Sequence, residues 1–200
     1  WYCENAIINN SKLNGIKALR ECNNINIKNT SIESFEFGWK TNNINIDNCS
    51  LIGEYLFFDS NNLKINKFNL KGKYSFQYVH DLIIENSNLD TKDAFWHAKN
   101  VTVKNSVVKG EYLGWYSENL TLINCKIIGT QPLCYCKNLK LIDCEMIDCD
   151  LSFEKSDVEA SIKNEVISIK NPLSGLIEVN GVKEVIIDDP LSKCKIVISN

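Results

Sequence analysis

The chain has 200 residues, with 22 Lys and Arg against 25 Asp and Glu for a net charge of −3, and one domain with a sizeable core accounts for that length. No basic run or stripe is present, which argues against nucleic acid or an anionic membrane surface as a partner. No apolar run reaches the length of a membrane span and no secretory signal opens the chain; a start at Trp1 reads as a fragment or a processed form.

From Ala6 onward the sequence keeps a count of 19. One apolar column runs Ala6, Ile25, Ile44, Leu63, Leu82, Val101, Leu120, Leu139, Val158, Ile177, Ile196, and a second, two residues on, runs Ile8, Ile27, Ile46, Ile65, Ile84, Val103, Leu122, Leu141, Ala160, Val179, Ile198. A third column runs from Leu13 through Ile32, Leu51, Leu70, Leu89, Val108 and Ile127 to Met146. Apolar residues at i and i+2 are written by a strand with one buried face, not by a helix. Just before the first column stand Asn24, Asn43, Asn62, Asp81, Asn100, Asn119, Asn138 and Asp157, and four residues after its start come Asn10, Asn29, Asn48, Lys67, Asn86, Asn105, Asn124 and Asp143. Asparagine tolerates a left-handed backbone, so these columns predict stacked turns, with glycine (Gly15, Gly53, Gly72, Gly110, Gly129) at a third corner.

A repeat this short, without a helical segment, winds as a single-stranded right-handed parallel β-helix, an all-β solenoid of about 19 residues per coil. Ten steps at the strand spacing of about 4.8 Å predict a rod roughly 48 Å tall. Nineteen is not a multiple of five, which argues against a pentapeptide solenoid. Residues 1–157 read as regular coils with asparagine ladders, and residues 158–200 as modified coils and a cap of the same domain, because the asparagines leave their columns there and Pro172 and Pro190 appear.

Each repeat also predicts a second strand, seen in "DAFWHA" from Asp93 and "EYLGWYS" from Glu111. If it alternates, its inward set is Leu56, Phe58 and Ser60, then Ala94, Trp96 and Ala98, then Leu113, Trp115 and Ser117. Its outward set is Tyr55, Phe57, Asp59, Tyr74, Phe76, Tyr78, Asp93, Phe95, His97, Tyr112, Tyr116 and Tyr135, an aromatic stripe that is the candidate ligand-binding site. Arg20 and Gln77 fall on the side assigned to the interior, which strains this parity.

The nine cysteines mostly take small buried positions of the repeat, with Cys49, Cys125 and Cys144 in one phase and Cys22 and Cys136 in another. An odd number in a core predicts free thiols and a cytoplasmic setting. The spacing of Cys134, Cys136, Cys144 and Cys149 is not a zinc knuckle, so neither metal nor cofactor is expected.

The stretches "KDAFWHAKNVTV" from Lys92, "GEYLGWYSENLTLINC" from Gly110, "PLCYCKNLKLIDC" from Pro132, "DLSFEKSDVEASI" from Asp150 and "ISIKNPLSGLIEV" from Ile167 resemble an uncharacterised bacterial and protist family, domain of unknown function 3737. The resemblance implies a right-handed parallel β-helix of the pectin-lyase kind, with further coils before the first residue, and it supplies no catalytic residues. Three functions compete. The stripe is a recognition surface for an extended glycan or a protein, a further copy of the chain included, or its rings stack for stability alone. The protein is a carbohydrate-active hydrolase or lyase, although Asp59 and His97 are two coils apart and no compact acid pair emerges. Or it is a scaffold whose open first edge accepts another strand.

Overall fold

The computed structural model describes residues 1–199 and contains sixteen strands in one parallel sheet. Pairing partners lie 19 residues apart in coil after coil: Ile25 with Ile44, Ile44 with Leu63, Leu63 with Leu82, Leu82 with Val101 and Val101 with Leu120. The chain is therefore a parallel β-solenoid, and the three apolar columns are its interior except at the end coils, where Ile8 and Leu13 are half-buried and Ile198 is exposed; Ile25, Ile44, Leu82, Ile84, Leu89 and Val101 are almost wholly out of contact with water.

Each coil has three walls. In the strand Asn61–Lys73, Leu63 and Ile65 point inward from the first wall, and Phe68 and Leu70 from the second. Lys67, at φ +50°, bends the strand between them. The same left-handed corner lies at Asn29, Asn48, Asn86, Asn105, Asn124 and Asp143. Another corner, at Asn24, Asn43, Asn62, Asp81, Asn100 and Asn119, closes the coil. The side chains stack as expected, but as ladders on the outside of the corners: Asn43 Nδ2 donates to Asn24 Oδ1 (3.1 Å), Asn119 to Asn100 (2.8 Å) and Asn48 to Asn29 (2.7 Å). At the third corner the coils approach so closely that a Cβ on Gly72 would stand 2.0 Å from the carbonyl oxygen of Gly53. Gly53, Gly72, Gly110 and Gly129 take this corner, which Ser34 and Thr91 hold in other coils.

The third wall is not the second strand that alternation predicts. Tyr55, Phe57 and Asp59 all have φ between +53° and +56°, while Leu56 and Phe58 between them do not, and the pattern recurs at Tyr74, Phe76 and Tyr78 and at Asp93, Phe95 and His97. Successive left-handed residues donate their N–H groups to neighbouring coils in opposite directions. Tyr55 donates to Lys73 (2.9 Å), Phe57 back to Phe37 (2.7 Å) and Asp59 to Gln77 (3.0 Å). The wall is thus hydrogen-bonded between coils without being pleated, and side chains do not alternate in and out.

The C-terminal coils shorten. Leu139 pairs with Val158 in the regular register, but Val158 pairs with Gly175 and Ala160 with Ile177, and further along Lys170 pairs with Ile186. The expected column step from Val158 to Ile177 is two residues off. The apolar phase survives because a slip of two keeps every side chain on its own face. Asn171 is buried here and its Oδ1 accepts from the N–H groups of Asp188 (3.0 Å) and Asp189 (3.2 Å). The last residue of the expected 158–200 segment, Asn200, lies outside the described residues.

Seven of the nine cysteines are buried, Cys194 is half-buried and Cys3 is exposed; none is in a disulfide. Buried Sγ groups donate to backbone carbonyls, Cys136 to Gly114 (3.2 Å) and Cys49 to Asp47 (3.3 Å). Burial pushes the Cys134 and Cys149 thiols up to about 12 and Cys136 up to about 11, so these sulfurs stay protonated and unreactive near neutrality. Among the described residues no three His, Cys, Asp or Glu side chains gather as a metal site requires, and no helix is long and apolar enough to cross a membrane.

Candidate recognition surface

Because the third wall is unpleated, two adjacent columns turn inward and the aromatic stripe divides. Phe57, Phe76 and Phe95, expected outside, are core residues; their rings stack with centroids 5.5 and 5.4 Å apart and planes 1° and 11° from parallel. Asp93, also expected outside, is buried as well, and desolvation pushes its carboxyl above the ordinary carboxylate range, with Glu111 adding to the rise and Lys92 opposing it.

Conversely, Phe58, Trp96 and Trp115, expected inside, lie half-buried on the outer surface. Their column also holds Trp1, Arg20, Trp39 and Gln77, and the Arg20 guanidinium sits 5.6 and 5.1 Å from the ring centroids of Trp1 and Trp39. Each polar tip is tied to a carbonyl of the next coil: Trp96 Nε1 donates to Tyr112 (2.7 Å), Trp115 Nε1 to Gln131 (2.7 Å) and Gln77 Nε2 to Asp93 (3.2 Å). One repeated bond thus accepts tryptophan or glutamine, which is why Gln77 interrupts the aromatic column.

In most coils the two inner columns of this wall compensate in volume, Leu56 and Phe57 being a coil in which both are large. Phe37 stands beside Gly38 and Leu113 beside Gly114, whereas Ser75 and Ala94 stand beside Phe76 and Phe95. A Cβ on Gly38 would come 2.7 Å from the Phe57 ring, and one on Gly114 2.8 Å from Leu133 Cδ2. The glycines, φ +68° and +73°, leave room for the neighbouring coil's large side chain.

What remains outside is a continuous aromatic surface. Tyr78, His97, Tyr116 and Tyr135 stack along the axis with centroids 4.9, 5.0 and 4.8 Å apart and planes within 13° of parallel. Trp115 meets Tyr112, Tyr116 and Tyr135 edge-on at 5.2, 6.3 and 5.4 Å, and Tyr55 stacks on Tyr74 at 4.6 Å. Tyr55, Tyr78 and Tyr116 are exposed, whereas Tyr74, His97, Tyr112 and Tyr135 are half-buried. Ion pairs border the surface on both sides, Glu54–Lys73 (3.1 Å) and Lys92–Glu111 (2.8 Å) on one and Lys99–Glu118 (3.4 Å) on the other. Asp59 is exposed in the same column, with Tyr78 between it and His97, so the two do not meet.

The fold and this surface define a parallel β-solenoid with one aromatic wall. The sequence matches the family described as protein of unknown function (DUF3737) over residues 1–199, and the chain belongs to that family. No curated protein matches it. Among solved structures it is similar to HetL, a pentapeptide repeat protein involved in heterocyst differentiation regulation from the cyanobacterium Nostoc sp. strain PCC 7120, at 10% identity and TM-score 0.36, covering 100% of this chain and 90% of that one. QnrB1, a plasmid-mediated fluoroquinolone resistance protein, is similar at 9% identity and TM-score 0.35, covering 100% and 92%. The periplasmic alginate epimerase AlgG is similar at 9% identity and TM-score 0.28, covering 98% and 69%. Likenesses of this size carry nothing about function.

Proposed function

We propose that the protein is a recognition module whose third wall docks a protein partner. The observation that carries this reading is the arrangement of the outer rings. Tyr78, His97, Tyr116 and Tyr135 occupy one another's faces and turn their edges outward. A sugar stacks on a free aromatic face, so the geometry favours a glycan on this wall less than a protein. Rigid tyrosine and tryptophan at the centre with ion pairs at the rim is the composition of protein interfaces, where aromatic anchors lose little side-chain entropy on binding. A carbohydrate-active hydrolase or lyase has less support, since Asp93 lies inside the wall and Glu111 is paired with Lys92.

The test replaces Tyr116 and Tyr135 together by serine. Both project from the outside of the wall, so the chain should stay folded, melting somewhat lower for the lost ring contacts. Proteins retained on the immobilised wild-type chain, or a self-associated form seen in sedimentation, should be lost with the double variant. The same retained proteins and the same sedimentation for both chains would refute the reading.

A further inference from the structure

The corner between the first and second walls is concave, and its hollows join into one trough along the axis. One segment, lined by Asn48, Lys67 and Asn69 among others, overlaps a second that continues past Asn86 and Asn88 to Asn105, and a third begins there. Its floor is the corner ladder and its flank the outward side chains that follow it on the second wall. In its middle the ladder changes residue. Asn48 donates to Asn29, but the next coil puts Lys67 in the asparagine's place at φ +50°, a backbone region that suits lysine less than asparagine. Asn86 Nδ2 then reaches past it to donate to Asn66 Oδ1 (2.9 Å), and Asn66 Nδ2 in turn donates to Asp47 Oδ1 (2.8 Å). Among the described residues no carboxylate lies within 4.0 Å of the Lys67 ammonium, and the side chains of Asn69 and Asn88 have no hydrogen-bond partner.

We propose that this trough binds an extended polysaccharide lying along the solenoid axis, with an acidic sugar whose carboxylate faces Lys67. Three features choose that ligand. Uncharged amides with spare donors and acceptors match sugar hydroxyls, which both donate and accept. The amides repeat once per coil, about 4.8 Å, close to what one pyranose adds to an extended chain, whereas a peptide strand advances only about 3.3 Å per residue. The two segments around Lys67 hold no other charged side chain, the charges of the third, Lys126, Asp143 and Glu145, lying at the far end of the trough, so this unpaired ammonium selects one negative charge at one place. Lysine at a corner that the other coils give to asparagine or aspartate is then a local inconsistency of the kind that marks a binding site.

Lys67→Asn makes the test clean, because it restores the ladder and so should leave melting unchanged or raise it. Binding is measured by calorimetry with hexamers of galacturonate and of mannuronate, and with a neutral glucose hexamer as comparison. At least one acidic hexamer should bind the wild type more tightly than the neutral one. Lys67→Asn should weaken it at least tenfold, and Asn69→Ala with Asn88→Ala should weaken both classes. The Tyr116→Ser, Tyr135→Ser double variant should bind the hexamers as the wild type does, which separates this proposal from the fate of the aromatic wall. No binding of either acidic hexamer at millimolar concentration, or equal binding by wild type and Lys67→Asn, overturns it.

Discussion

Phe95 distinguishes the wall the structure has from the wall that alternation predicts. On an outward stripe, Phe95→Ala would leave stability untouched; in the structure the ring is 2% exposed and stacks on Phe76 at 5.4 Å. Truncating a buried phenylalanine to alanine costs about 3–5 kcal/mol, the lost ring pairing included, so about 4 kcal/mol is expected here. In a chain of this length each kcal/mol lowers Tm by roughly 2–4 °C, giving a fall of about 8–16 °C. The compensation between columns supplies a rescue. Ala94→Leu with Phe95→Gly rewrites this coil in the manner of Leu113 and Gly114, refilling the cavity with a side chain whose burial contributes about 2 kcal/mol. It also relieves a left-handed residue of a strain of about 1 kcal/mol. The rescued chain should then lie within about 1–2 kcal/mol of the wild type by this reckoning. Thermal and urea unfolding followed by far-ultraviolet circular dichroism reads both variants. A single variant that melts with the wild type, or a double variant no better than the single, would refute the account of the third wall.

Other outcomes follow from the same geometry. Ile84→Asp puts an unpaired carboxylate where the wild-type side chain has no solvent contact, and should unfold the central coils; a soluble variant with unchanged melting would contradict the inward columns. Alkylation of the native protein should modify Cys3 first and leave the seven buried thiols until denaturation, after which mass measurement without reductant should find all nine labelled. Asp93 is a carboxyl whose folded-state pKa is raised, so the folded state carries no burial penalty below the ordinary carboxylate range and acquires it as pH rises through the elevated value. Asp93→Asn should therefore match the wild type in acid and exceed it in stability near neutrality, and a pH-independent difference in urea midpoint would show that the carboxyl is not desolvated.

The first two walls are legible in the sequence because each is a pleated strand, where burial alternates and every coil repeats the message. Ile44, Leu63 and Leu82 announce one column, and the corner asparagines mark where the backbone turns left-handed. The third wall repeats as faithfully but carries no pleat, so a period of two misassigns half of it. The signal that separates its faces is the pairing of large with small, Phe37 with Gly38 against Ala94 with Phe95, since a volume that must be conserved across two columns belongs to a core. Arg20 and Gln77 in the Trp96 column say the same from outside, being residues that a solenoid interior does not hold unpaired. The shortened coils are invisible for a different reason, since a slip of two residues preserves the apolar phase at Ile177 and alters only which residue it meets.

That division bears on how such a chain acquires a function. Packing inside the third wall is settled between two neighbouring columns, while outside it Gln77, Trp96 and Trp115 are held by bonds to backbone carbonyls and the tyrosines and His97 by stacking on one another. Substitutions in the outer columns therefore leave the core's volume balance alone, and the recognition surface is free to change while the solenoid persists. The corner trough is independent for the same reason. Its floor is the outer edge of a turn whose stability comes from the asparagines on either side, so one coil can replace its asparagine by Lys67 at a small local cost. The aromatic wall and the trough lie on opposite flanks of the second wall, so the protein partner proposed for the one and the polysaccharide proposed for the other would not compete for the same surface.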